Sequence, residues 1–228
     1  SPDVRNNAAP HNSAGPFCCF GLMKAAVKWA VGAGALDALP ALPMPPMEES
    51  RVEHLTKAEF RQFLEGCEAA HVRLFAILAV TTGARTAAIL QLTWPQVDLA
   101  RCIADFNPPT LERRKHKTRA IVPLNGPAMQ ALREAVKVRT TDHVIEYAGR
   151  PIASIKTGVR LASERSRVPV HPHMFRHSAA VWMAEARVPL DEIARFLGHS
   201  NVEITRNVYA KFNPDYLQQA ATALDWED

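Results

Sequence analysis

The chain has 228 residues, 47% of them hydrophobic, a net charge of +4 and a pI near 9.0. This allows one full domain with a sizeable core, or one domain and part of another. The mild basicity is compatible with a polyanionic partner without establishing one. No apolar run reaches the roughly 18 residues of a membrane span, because Lys24, Lys28 and Asp37 interrupt the stretch from Phe17 to Leu39. Cysteines at 18, 19, 67 and 102 match neither a disulfide framework nor a zinc spacing. Free thiols in a reducing compartment are expected. With no signal-peptide pattern, the expected location is the cytoplasm.

In chain order, residues 1 to 21 are expected to be disordered or poorly packed, because their opening is rich in Pro, Asn, Ala and Ser. Leu22, Ala26, Trp29 and Ala33 stand at helical spacing, and Gly34 is the expected stop. Pro40, Pro43, Pro45 and Pro46 mark residues 40 to 51 as an extended linker. The main domain is placed at 52 to 228. It opens with a capping box, Thr56 with Glu59, and a hydrophobic staple of Leu55 on Phe60.

A helix is predicted from Lys57 to about Gly66, a second over 69 to 81, and a third over 87 to 92, just after Gly83 and Arg85. Residues 101 to 106 and 119 to 124 read as strands, joined by a basic turn, and a third short strand is read at 143 to 147. Further helices are predicted over 127 to 139, 154 to 165, 176 to 186 and 190 to 197, the last bracketed by Pro189 and Gly198. The fold class is therefore α+β, mainly helical, with one small antiparallel sheet.

The last quarter carries the chemistry. It holds His173, Arg176 and His177, then Leu197-Gly198-His199, then Tyr209 ten positions on. No Cys, Asp or Glu sits among them in a metal-ligand pattern, so the group reads as metal-free chemistry on an anion. A phosphodiester gains charge on its non-bridging oxygens as it is attacked, and arginine forks suit those oxygens. A nucleophile and a proton donor complete the set. Residues 113 to 119 place five strong cations in seven positions: Arg113, Arg114, Lys115, Lys117 and Arg119. Each feature alone is generic, since a charged turn is usually solvated and a lone histidine or tyrosine usually packs. Their order along the chain is what singles them out.

Thr82-Gly83-Ala84-Arg85 resembles the first arginine box of the tyrosine recombinases, the phage-integrase family. Pro172-His173-Met174-Phe175-Arg176-His177 resembles the His-x-x-Arg box, and Leu197-Gly198-His199-Ser200 with Tyr209 the final one. The resemblance runs from about Val52 to Phe212, and residues 24 to 36 resemble the last helix of the family's core-binding domain. It implies the family's catalytic fold and a site-specific recombinase or integrase of a mobile element. Arg85 and Arg176 would clamp the scissile phosphate of double-stranded DNA at an attachment-type site. His173 would act in proton transfer or phosphate hydrogen bonding, and His199 would stabilise the pentacoordinate phosphate. Tyr209 would form a 3′-phosphotyrosyl link, and Lys115, with Lys117 as the alternative, would protonate the leaving 5′ oxygen. The basic turn would bind DNA. No cofactor, metal or membrane is implied; a homotetramer on DNA is, with a monomer in its absence and residues 213 to 228 as the segment exchanged between neighbours.

Two departures stand out. Ala88 occupies the position where the family usually carries an acid that braces the first arginine, and residues 1 to 21 do not read like the rest of a core-binding domain. The competing readings are a non-catalytic or decayed DNA-binding relative built on a helix-turn-helix at 176 to 198, a type IB topoisomerase-like enzyme, and a metal enzyme using His173 and His177.

Overall fold

A computed structural model describes residues 14–38, 40, 52–107, 120–199 and 201–213. The basic cluster from Arg113 to Arg119, with Lys115 and Lys117, lies outside the described residues, as do most of the linker and the segment from 214 on. The chain divides into two compact units, Ser1–Arg51 and Val52–Asp228.

The first unit holds helix α1 (Ala14–Gly32), closed by a turn with Gly34 at φ 71°. The helix starts earlier than the sequence suggested, so residues 14 to 20, read as disordered, are helical. Pro16 falls in the first turn, where its missing N–H breaks no hydrogen bond, and the run that follows has no further proline.

In the second unit, α2 (Lys57–Glu65) starts at the anticipated capping box: the Glu59 amide donates to Thr56 Oγ1 at 3.2 Å, and the Thr56 amide donates to Glu59 Oε2 at 2.8 Å. Helix α3 (Ala70–Thr82) ends on Gly83, whose N–H donates to Ala79 O at 3.0 Å. Gly83 has φ 59°, and a Cβ there would stand 2.5 Å from Leu197 Cδ2. Only glycine fits both the left-handed turn and that close approach. Arg85 then caps the short helix α4 (Thr86–Leu90).

The sheet has the order β1-β2-β3, from β1 (Val97–Asp98), β2 (Ile103–Asp105) and β3 (Ile121–Pro123), all antiparallel. Ala104 pairs with Val122, and both side chains are buried, which fixes which face meets the core. The third strand is thus Val97–Asp98, too short to carry an alternation signal. Of the strand expected at 143 to 147, only β4 (Glu146–Tyr147) forms, and it pairs with β5 (Arg150–Pro151) in a separate hairpin. Ala148 and Gly149, at φ 49° and 72°, make its two-residue turn. His143 bridges to Thr93 instead.

Helices α5 (Gly126–Lys137), α6 (Lys156–Ser166), α7 (Met174–Glu185) and α8 (Leu190–Leu197) follow the predicted pattern, and α9 (Val202–Tyr209), not read from the sequence, carries the tyrosine. Asn201 starts α9 by accepting the Glu203 amide at 2.9 Å. The main core is centred on α3 and α7, which pack together. Phe175 is fully buried there, edge-on to Phe60, Phe63 and Phe75. A second cluster gathers Val181 and Ala184 of α7, Ile193 and Leu197 of α8, and Tyr209. The two clusters sit on either side of α7 and fix the residues between them.

Candidate active site

Phe175 is locked in the aromatic core, so its neighbour Arg176 is held at the start of α7 with little freedom. Arg176 is 5% exposed, and its Nη1 donates to the Gly83 carbonyl at 2.6 Å. Its Nη2 is buried without a hydrogen-bond partner among the described residues. A guanidinium donor left unpaired in a buried site is costly. An anionic oxygen would remove that cost. Burial, and then the charge of Arg85, push the Arg176 guanidinium down to about 10, which leaves it charged at neutral pH.

Arg85 reaches the site from the α3–α4 corner. Its Nη2 makes a long, weak contact of 3.4 Å with the Gly198 carbonyl. Ala88 is buried and lines a cavity of about 10 Å³ together with Thr82, Ala84, Phe106 and Leu197. Arg85 lines the same space, so Ala88 leaves it with no acidic side chain on that wall. The acceptor that Arg85 reaches is the carbonyl of Gly198, a residue at φ 66°.

The two arginine corners are therefore tied crosswise. The glycine before Arg85 holds Arg176, and the glycine before His199 holds Arg85. Closure of α8 fixes the His199 backbone, whose N–H donates to Ala194 O at 2.9 Å. The ring is oriented by Thr205, with Nδ1 at 2.7 Å from Oγ1. Burial, then Arg176 and Arg85, push His199 down to about 4. It is neutral at pH 7 and has one ring N–H to donate. His173 precedes α7, makes no cap hydrogen bond through its side chain, and is exposed. Desolvation and then Arg176, His171 and Arg85 lower its proton affinity.

Tyr209, the last residue of α9, is 3% exposed. Burial pushes its hydroxyl up to about 12, with Arg176 acting in the opposite sense. The hydroxyl stands 2.6 Å from His177 Nδ1. His177 is pushed down to about 4 by burial and then by His173, His171 and Arg176, against Glu53. Its ring meets that of His173 edge-on at 4.7 Å between centroids.

The structure thus brings together Arg85, His173, Arg176, His199 and Tyr209. It adds His177 and Thr205, which the sequence reading did not assign to the site. His177 was visible inside the His-x-x-Arg box, but its spacing from His173 suggested only a metal ligand; nothing in the sequence marked Thr205. Among the described residues, no three His, Cys, Asp or Glu side chains gather as a metal would require. No helix among them is long and apolar enough to cross a membrane.

The family model for the phage integrase family matches residues 53–215, and the chain belongs to that family. The chain is 24% identical over 204 residues to an integrase of Salmonella phage P22, covering 83% of this chain and 51% of that one. It is 25% identical over 205 residues to an integrase of Streptomyces ambofaciens, covering 75% and 52%. The chain spans about half the length of these curated relatives. Among solved structures, the Tn1549 transposon integrase in complex with a circular intermediate DNA superposes with a TM-score of 0.74 at 17% identity, over 92% of this chain and 78% of that one. The fold is that of an integrase catalytic domain, mainly helical with a small antiparallel sheet.

Proposed function

We propose that this chain carries the strand-breaking and rejoining domain of a site-specific DNA recombinase. The observation that carries the reading is the buried Arg176 Nη2, a cationic donor without a partner among the described residues, which interacts electrostatically with Arg85 and Tyr209. Arg85, Arg176 and neutral His199 supply hydrogen-bond donors for the non-bridging oxygens of a phosphodiester. Tyr209 Oη attacks phosphorus, the bond from phosphorus to the 5′ oxygen breaks, and a 3′-phosphotyrosyl link forms. The phenolic proton passes to the histidine cluster, with His173 as the exchanging group, and Lys115, or Lys117, protonates the 5′ oxygen. The phosphotyrosyl link retains the energy of the diester, so a second 5′-hydroxyl reverses the step without a cofactor. Arg113, Arg114 and Arg119 add phosphate contacts, and the chain works as a homotetramer on DNA in the cytoplasm. The likeness to a phage integrase and to a transposon integrase in complex with a circular intermediate DNA supports DNA as the substrate, and we take its site to be of the attachment type.

The test is covalent capture on a nicked duplex, using a sequence that the full chain selects from a random pool. Wild type should leave a protein–DNA adduct that survives denaturation. Tyr209→Phe should leave none while binding the duplex within about twofold, and binding should weaken steeply with salt. An adduct formed by Tyr209→Phe would remove Tyr209 as nucleophile. Absence of any adduct from wild type on DNA that it binds would favour a non-catalytic relative.

A further inference from the structure

His177 lies in the histidine cluster without a role of its own so far, yet its Nδ1 stands 2.6 Å from the hydroxyl of the buried Tyr209. The two residues come from different helices, α7 and α9, and are 32 positions apart, so chain connectivity does not force the contact. Each is held independently. His177 follows Arg176 on the helix that Phe175 anchors in the core, and Tyr209 packs in the cluster of Val181, Ile193 and Leu197. A 2.6 Å contact between a phenol oxygen and a ring nitrogen, each carried by its own helix, is a hydrogen bond.

We propose that His177 is a positioning residue for the nucleophile: its Nδ1 accepts the hydrogen bond of the Tyr209 hydroxyl and aims the phenol oxygen at the phosphate held by Arg176. This rests on Tyr209 being the nucleophile. The hydrogen bond fixes the phenol torsion, so a lone pair of the oxygen stays directed into the site. With Nδ1 as acceptor, the ring carries its hydrogen on Nε2. Its surroundings agree with a neutral ring: burial and then His173, His171 and Arg176 oppose a positive charge there, and among the described residues Glu53 favours one, itself engaged by His171 at 3.1 Å. A protonated His177 could not accept, so the arrangement holds at neutral pH and is lost in acid.

Two measurements on the full chain test this. In ¹⁵N-histidine spectra without DNA, assigned by loss of a signal in His177→Asn, His177 should be the Nε2–H tautomer at pH 7. An Nδ1–H tautomer would make the tyrosine the acceptor and overturn the proposal. The second measurement compares single-turnover adduct formation on the selected nicked duplex. Asparagine places an acceptor where Nδ1 lies, whereas glutamine reaches the Nε2 position. His177→Asn should stay within about tenfold of wild type, and His177→Gln should fall on the order of 10²-fold, the usual consequence of a nucleophile displaced by about 1 Å. Both should bind the duplex as wild type does. Equal rates for the two folded variants would show that the histidine only packs. If wild type itself forms no adduct, the nucleophile assignment fails, and the tautomer still reports whether the hydrogen bond exists.

Discussion

Arg176 and Arg85 serve one site from two corners that are built differently. Arg176 sits on a long helix between two apolar clusters, is almost fully buried, and is tied at 2.6 Å to Gly83 O. Arg85 caps a five-residue helix, is partly exposed, and touches Gly198 O at only 3.4 Å. The first is preorganised, with its desolvation cost already met by folding. The second keeps part of its hydration and is held only by a weak contact. A guanidinium can thus be held by the carbonyl of a left-handed glycine where a relative would use a carboxylate, but less firmly and without added negative charge.

The largest effect expected is from Arg176→Ala, a loss of 10²–10³ in adduct formation at saturating DNA, typical of removing one transition-state donor. Arg176→Lys should recover little, because an ammonium cannot bond Gly83 O and a phosphate oxygen in the same fork geometry. Arg85→Ala should cost less, about 10–10²-fold, as a partly solvated charge-assisted bond is weaker. Equal losses at the two arginines would erase the contrast between the corners. Gly83→Ala strikes both at once: φ 59° is strained for alanine, and its Cβ would meet Leu197 Cδ2 at 2.5 Å. Thermal unfolding should show about 1–3 kcal/mol of destabilisation, and an unchanged melting temperature would contradict the close approach.

Ala88→Asp asks whether the missing acid limits Arg85. Ala88 is 2% exposed, so a carboxylate there must be desolvated and the variant should lose stability and gain no cleavage rate; a faster enzyme would mean that the Gly198 carbonyl is an inadequate brace. A last prediction concerns pH dependence. His177 and His199 titrate near 4 when folded and near 6.5 when unfolded. The unfolded chain then binds more protons between these values, so stability is complete above about pH 6.5 and declines as pH falls toward 4. Tyr209, raised to about 12 from 10.0, makes stability decline again above pH 10. Melting temperatures across this range check both signs, and His199→Gln should flatten part of the acid limb.

Much of the fold was legible because its signals are local. Thr56 and Glu59 announce α2 by a hydrogen-bond exchange within four residues, and Gly83 and Gly198 announce the ends of α3 and α8 by a backbone shape that other residues avoid. The two short pairings were not legible. Val97–Asp98 and Arg150–Pro151 are two-residue strands whose partners, not their own side chains, make them strands. The early start of α1 was hidden by Pro16, which reads as a breaker but is harmless in a first turn.

The same division runs through the site. The order Arg85, His173, Arg176, His199 and Tyr209 lies in the sequence, since the residue types that handle a phosphate ester are few and stand in recognisable boxes. Which groups touch was decided by tertiary structure alone. Gly83 O on Arg176, Gly198 O on Arg85 and His177 on Tyr209 join elements distant in the chain, whereas Thr205 on His199 spans six residues across the α8–α9 connection. Three of these contacts depend on helix ends brought together by a buried core, and a spacing of letters cannot encode a distance across it. The residue types lie in the sequence; packing around Phe175 and Leu197 oriented them and left one Arg176 donor without a partner among the described residues.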